Sequence, residues 1–328
     1  MEKDHSIETL RGLAIILVVG FHITNDGPIA PAQDVYDYLG YSFQNIRLPL
    51  FTIISGYLYG VRPVVGPGYY GGFVQGKVRR ILLPLVVVAS LQFLAKAVLP
   101  GVNNPEPIHD LWKAFLLPYE HFWFLQVIFL LFLFVGVLGH LKILPYFRNW
   151  LILIAASFIV YLVYPWSNVS LKFFSLGATT YLLPYFLLGY GIAVHGDRIL
   201  RSAPLYGWVA LFLMAFGYQQ YLWFEGSVDE ASKRTVLGLA VSLSAAAILF
   251  RFRIPVWGLA GIGSYAYTIY LYQGFGTSFG RRVFGVLPDV GPHVYFIGMV
   301  CIAVGFGIAA EIVIGRIPYL RTLFLGLR

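Results

Sequence analysis

A helix that crosses the hydrocarbon core of a bilayer needs about 20 mostly apolar residues. Runs of roughly that length recur ten times in this chain, at about 8–25, 46–61, 79–99, 120–140, 149–165, 178–195, 205–224, 235–251, 255–274 and 293–315. Only helices or closed barrels satisfy backbone hydrogen bonds inside lipid. Ten runs of helical length therefore predict an all-α, polytopic integral membrane protein with about ten transmembrane helices. Only 12% of the 328 residues are charged, about half the share of a soluble domain. Glycine and proline punctuate the connections, as in RPVVGPGYYGG and LPDVGP. No spacer resembles a domain linker, so residues 1–328 read as a single membrane domain.

The net charge is +8. In a soluble protein that excess suggests nucleic acid. In a membrane protein it follows from the positive-inside rule, and no nucleic-acid partner is expected. With a cytoplasmic N-terminus, fifteen of the 23 Lys and Arg residues, running from Lys3 to Arg328, fall on the inner side. Eight, among them Arg47 and Lys233, fall on the outer side. Acidic residues such as Asp26, Glu106 and Asp229 gather in the outer loops. Ten spans with both termini cytoplasmic accommodate this distribution. The lone cysteine, Cys301, can form neither an internal disulfide nor a Cys-x-x-Cys site, and no metal site is read.

The first run, IETLRGLAIILVVGFHI, carries Glu8, Arg11 and His22. Ionisable groups within a span are costly and tend to face an interior cavity. Eleven residues are about three helical turns, so Arg11 and His22 share a face about 16 Å apart. Glu8 lies three residues before Arg11, close enough to pair with it. Arg11 alone could snorkel to the headgroups, and His22 alone could bond a loop carbonyl. Together they suggest a cation for an anionic donor and a base for an acceptor hydroxyl. A proton or substrate path in a transporter or flippase is the alternative use of the same face.

This stretch resembles the first-helix signature of the acyltransferase 3 family of membrane O-acyltransferases. Glu8, Arg11, Gly12 and His22 fit its acidic residue, Arg-Gly pair and distant histidine. RLPLFTIISGYLYG resembles the second-helix pattern, with Pro49, Leu50, Phe51, Ser55, Gly56 and Tyr57. KVRRILLP resembles the basic motif that opens the third helix. HFWFL resembles the start of the fourth, in the Trp-Phe-Leu branch without an appended soluble domain, and AYTIYLYQ a late-helix pattern.

The resemblance implies a multi-pass enzyme of the bacterial inner membrane that uses acyl-CoA, most commonly acetyl-CoA, as donor substrate, with no permanently bound cofactor. It implies a catalytic group of His22, Arg11 and Glu8, and donor phosphates held by Arg11, Lys77, Arg79 and Arg80. Plain positive-inside anchoring also accounts for the last three. The acceptor would be a hydroxyl of a glycan or lipid-linked sugar, with Arg47, Glu120, His121, Trp123, Tyr270 and Gln273 as candidate contacts. The bilayer is the remaining partner, and the sequence leaves open a homo-oligomer. Three positions depart from the family pattern. Lys77 replaces the first arginine of Arg-x-x-Arg, Gln273 replaces a histidine, and Gln126 stands near where many relatives carry glutamate. Ser55-Gly56 reads as a packing pair, since small residues let helices approach closely.

Overall fold

A computed structural model describes residues 4–327 except 25, 64–68, 99–106, 168, 202–203, 232–233 and 288–289. Lys3, Glu106, Lys233 and Arg328, which the charge distribution uses, lie outside the described residues. The chain is 84% helical, with no strand among the described residues. In chain order the helices are α1 (His5–Ile23), α2 (Gln33–Ser42), α3 (Arg47–Val61), α4 (Tyr69–Lys77), α5 (Leu83–Val98), α6 (Lys113–Leu116), α7 (Trp123–His140) and α8 (Phe147–Val163). They continue with α9 (Leu176–Leu200), α10 (Leu205–Phe224), α11 (Val236–Phe252), α12 (Trp257–Ser264), α13 (Ala266–Gly285), α14 (Pro292–Gly315) and α15 (Pro318–Leu325).

The protein is a polytopic helical membrane protein. Among the described residues, six helical stretches are long and apolar enough to cross a bilayer, or seven if the bent pair α11–α12 is one span. At 15 residues, α3 is shorter than a full crossing. Two expected boundaries are corrected. The run at 255–274 is not one helix: it breaks at Tyr265 into α12 and α13. The third helix does not open at the basic motif. Helical structure begins at Tyr69 and runs to Val98, with a π-helical turn at Val78–Leu82 joining α4 to α5.

Contacts divide the chain into two compact units. The first comprises 1–61 and 185–308, the second 62–184 and 309–328. In the first, Asp4 caps α1 by accepting from the backbone N–H groups of Ser6 and Ile7, at 3.0 and 3.3 Å. Two glycine crossings set its architecture. A Cβ on Gly12 would lie 2.0 Å from the Leu259 carbonyl oxygen, and one on Gly263 would lie 1.8 Å from that of Glu8. The backbones of α1 and α12 therefore touch, which requires residues without side chains on both helices. Gly56 meets the Phe186 carbonyl in the same way and Gly189 that of Ile53, pressing α3 onto α9. Ser55 donates to the Phe51 carbonyl of its own helix at 3.0 Å, consistent with the packing reading of Ser55-Gly56.

Buried polar groups close the connection between α2 and α3. Gln219 on α10 donates to the carbonyls of Tyr41 and Ser42, both at 3.1 Å, and accepts from Asn45 at 3.0 Å. Left unsatisfied in an apolar interior, those groups would oppose folding. Arg253 has left-handed φ (32°) at the end of α11 and donates to the Tyr57 hydroxyl at 2.8 Å, where the 113° bend into α12 begins.

In the second unit, α4 packs on α7. The Tyr70 hydroxyl donates to the Leu133 carbonyl at 3.3 Å, and Gly136 receives the rings of Phe73 and Tyr70. Gln126, fully buried on α7, explains its own departure from the family pattern. Its amide nitrogen donates to the carbonyls of Phe115 and Leu117, at 2.9 and 3.1 Å, and its oxygen accepts from Ser175 at 2.5 Å. An ionised glutamate there would have no donor for the two carbonyls. The bond also holds Phe174 and Ser175, consecutive non-glycine residues at φ 45° and 55°, a conformation that costs energy unless its surroundings enforce it. The Gln126→Leu protein is expected to lose roughly 2–3 kcal/mol of stability, read as a lower thermal midpoint of the purified protein.

Candidate functional site

Helix α1 supplies the candidate catalytic groups. The expected pair forms: Arg11 Nη1 donates to both Glu8 carboxylate oxygens at 2.9 Å, and both side chains are partly exposed. His22, one face and three turns along, is exposed. Between them on that stripe lie Ile15 and Val18, 0% and 3% exposed. The face is thus accessible at each end and covered by neighbouring helices in the middle. A donor anion at Arg11 and an acceptor at His22 would occupy opposite ends of one helix.

The surroundings of His22 are built from distant segments. Its ring meets the Phe21 ring edge-on at 5.6 Å between centroids. Arg47 is not a surface contact at the end of α3. It is 4% exposed, with its guanidinium carbon 3.4 Å over the Phe21 ring and Nη1 donating to the Gly40 carbonyl at 3.1 Å. That position makes Arg47 a support for the helix carrying His22. Asp26, four residues beyond His22 and buried, accepts from Arg281 Nε and Nη2 at 3.1 and 2.7 Å and from the Tyr295 hydroxyl at 3.1 Å. This clamp ties the end of α1 to α13 and α14. Sequence reasoning placed Asp26 only by side of the membrane. No local pattern marks a pair 255 residues apart.

Tyr270 and Gln273 lie one turn apart on α13 and are buried. Gln273 is 2% exposed, and neither its amide oxygen nor its nitrogen has a hydrogen-bonding partner among the described residues. A buried, unsatisfied amide is costly in a purely structural role. It stands where the resemblance implies histidine.

The second unit holds the basic motif. Lys77 is partly exposed, with its ammonium 3.3 Å from the Phe132 ring centroid and 5.3 Å from that of Phe73. Such cation–π contacts orient the side chain. Arg79 is partly buried and Arg80 exposed. Both lie in the π-helical turn, a rare element concentrated at functional sites, which sequence reasoning missed.

The C-terminal helix docks on this turn. Gly326, at φ 65°, ends α15 with its N–H bonded to the Thr322 carbonyl, the 5→1 bond of a left-handed cap, and the Leu327 N–H bonds the Arg321 carbonyl. A Cβ there would lie 2.6 Å from both the Arg79 carbonyl oxygen and Arg80 Cα. Gly326→Ala is expected to lower the thermal midpoint by the equivalent of at least ~1 kcal/mol, while Gly315→Ala, whose Cβ meets open space, leaves the midpoint unchanged. Glu120, at φ 44°, forms an ion pair with Lys96. His121 is buried against the Phe122 ring at 4.1 Å, and Trp123 is the first residue of α7.

A family model described as an acyltransferase domain, Acyl_transf_3, matches residues 4–312. The chain belongs to the acyltransferase 3 family. Neither a search of curated proteins nor one of solved structures gave a match. As an acyltransferase 3 protein it is a membrane-embedded acyltransferase, and the matched span includes α1, the π-helical turn and the clamp around Asp26.

Proposed function

We propose that this acyltransferase takes an acyl group, most simply acetyl, from cytoplasmic acyl-CoA. It would place that group on a hydroxyl of a glycan or lipid-linked sugar at a bacterial inner membrane. The observation that carries the reading is the stripe on α1, with the Glu8–Arg11 pair at one end and exposed His22 at the other. A guanidinium suits phosphate, and Glu8 holds it in orientation. For Arg79 and Arg80, in the rare π-helical turn of the second unit, a role toward donor phosphates rests on the family resemblance. His22 takes the proton of the acceptor hydroxyl as its oxygen attacks the thioester carbonyl. The carbon–sulfur bond then breaks, the ester remains on the acceptor, and the CoA sulfur leaves and is protonated. Gln273, buried with both amide atoms unsatisfied, can orient a hydroxyl through donor and acceptor together.

The test uses membranes carrying the intact chain and control membranes lacking it. Both receive acetyl-CoA labelled in the acetyl group. Label is expected in the glycan or lipid fraction only where the chain is present, with release of free CoA thiol in equal amount. Release of thiol without labelled product, or no difference between the membranes, refutes the reading. Arg11→Gln is expected to raise the KM for acetyl-CoA about tenfold or more, the loss of one charge-assisted phosphate contact.

A further inference from the structure

Helix α15 turns an arginine toward the protein. Arg321 lies four residues before Leu325 and shares its face, and Leu325 is 2% exposed. Tyr319 and Leu323 are each two residues from Arg321, on the opposite side of the helix. They are 88% and 40% exposed. A tyrosine and a leucine thus point outward while a cation points inward, the reverse of what burial alone selects. Arg321 is partly covered, and its Nε is enclosed without an acceptor. Its guanidinium enters no hydrogen bond or ion pair among the described residues, Glu311 on α14 included. The described ion pairs of the second unit join Lys96 to Glu120, and His109 and Lys113 to Asp110. A covered polar group without a partner costs stability.

The partner surface of α15 is itself basic. At Gly326 the backbone of α15 touches that of Arg79 and Arg80, where a Cβ would lie 2.6 Å from the Arg79 carbonyl oxygen. The Leu327 N–H bonds the Arg321 carbonyl at 3.3 Å, which folds the end of the helix back beside Arg321. Arg321 is therefore fixed within about a turn and a half of its helix from the π-helical turn. The chain supplies these segments with no acid of their own. No Asp or Glu occurs from 38 to 105 or after Glu311. Like charges gathered in this way repel one another, and an anion completes the arrangement.

We infer, on the reading of acyl-CoA as donor, that Arg321 is a phosphate ligand of that donor, beside Arg79 and Arg80. A guanidinium fork matches phosphate oxygens. Acyl-CoA carries a diphosphate and a separate ribose phosphate, which suit several fixed guanidinium groups better than a single lipid headgroup does. The close approach at Gly326 then has a second use, since it holds α15 where Arg321 can serve the basic turn. No sequence motif marks this residue.

The full chain in phosphatidylcholine nanodiscs, titrated with labelled CoA, tests this. Arg321→Gln is expected to raise the Kd about tenfold or more, the loss of one charge-assisted phosphate contact. Arg316→Gln removes the same charge from an exposed position, and is expected to change the Kd by less than about twofold. Without CoA, Arg321→Gln is expected to melt at or above the unaltered midpoint, because it removes a covered cation that has no partner. If the unaltered protein binds CoA and Arg321→Gln binds it as tightly, as a lipid-headgroup role predicts, the inference is overturned and the acyl-CoA reading stands. Equal weakening by Arg316→Gln overturns it too, and so does a lower midpoint of Arg321→Gln without CoA, the mark of a structural arginine. No binding of CoA by the unaltered protein removes both the inference and the reading.

Discussion

Membranes carrying the His22→Ala chain are expected to transfer acyl groups roughly 10²–10⁴-fold more slowly than membranes carrying the unaltered chain, the contribution of a general base. The loss should fall on kcat, with the KM for acetyl-CoA near its original value, because the donor phosphates are assigned to Arg11, Arg79 and Arg80. His22 is exposed, so removing its ring opens no core cavity. The clamp of Asp26 on Arg281 and Tyr295 still holds the end of α1. The variant should therefore extract from membranes and melt like the unaltered protein. A transfer rate within threefold of the unaltered chain would remove His22 from the mechanism. Loss of the folded protein along with activity would instead make it a structural residue.

Gly12→Leu carries the largest expected effect on stability. The added Cβ would lie 2.0 Å from the Leu259 carbonyl oxygen, 2.8 Å from its carbon and 3.2 Å from the Gly263 nitrogen. All three are backbone atoms, so no rotamer change relieves the overlap and α1 must move away from α12. The second glycine compounds the problem, since Gly263 already brings its Cα against the Glu8 carbonyl. Overpacking at yielding sites costs about 1–3 kcal/mol. A backbone-to-backbone crossing yields less, and a loss above about 3 kcal/mol is expected. It should appear as a sharp fall in the monodisperse fraction after detergent extraction and in the thermal midpoint. Gly20→Ala is the control, since its Cβ would meet only the Phe296 ring at 3.4 Å. If Gly12→Leu melts with that control, the crossing does not set the stability of α1.

Gly12 also shows why a motif can be read without its reason being visible. The Arg-Gly pair is recognisable in the sequence, and it pointed to the family that the match over residues 4–312 shows. The need for glycine comes from α12, some 250 residues later. Arg47 shows the reverse. Its place beside the second apolar run allowed an acceptor contact or an interfacial anchor, and the fold buries the guanidinium over Phe21. An aromatic face and a backbone carbonyl offset part of its desolvation, and neither partner can be read from a neighbouring residue. Gln126 departs from the family pattern for a reason that appears only when Phe115, Leu117 and Ser175 are brought to its amide.

Apolar run length and low charge, by themselves, determined that this chain is a helical membrane protein. The bilayer imposes one length on every span, and backbone hydrogen bonds inside lipid close within a single helix. Helical period likewise determined that Glu8 and Arg11 pair and that His22 lies on their face, because those relations are local. Only the tertiary structure decided that the face is covered over Ile15 and Val18 between its ends. It also decided that Asp26 meets Arg281 and Tyr295 and that α15 docks on the π-helical turn of Arg79 and Arg80. Those features depend on which helices touch. That follows from side-chain volume and close backbone approach between segments far apart in the chain, which no local period encodes.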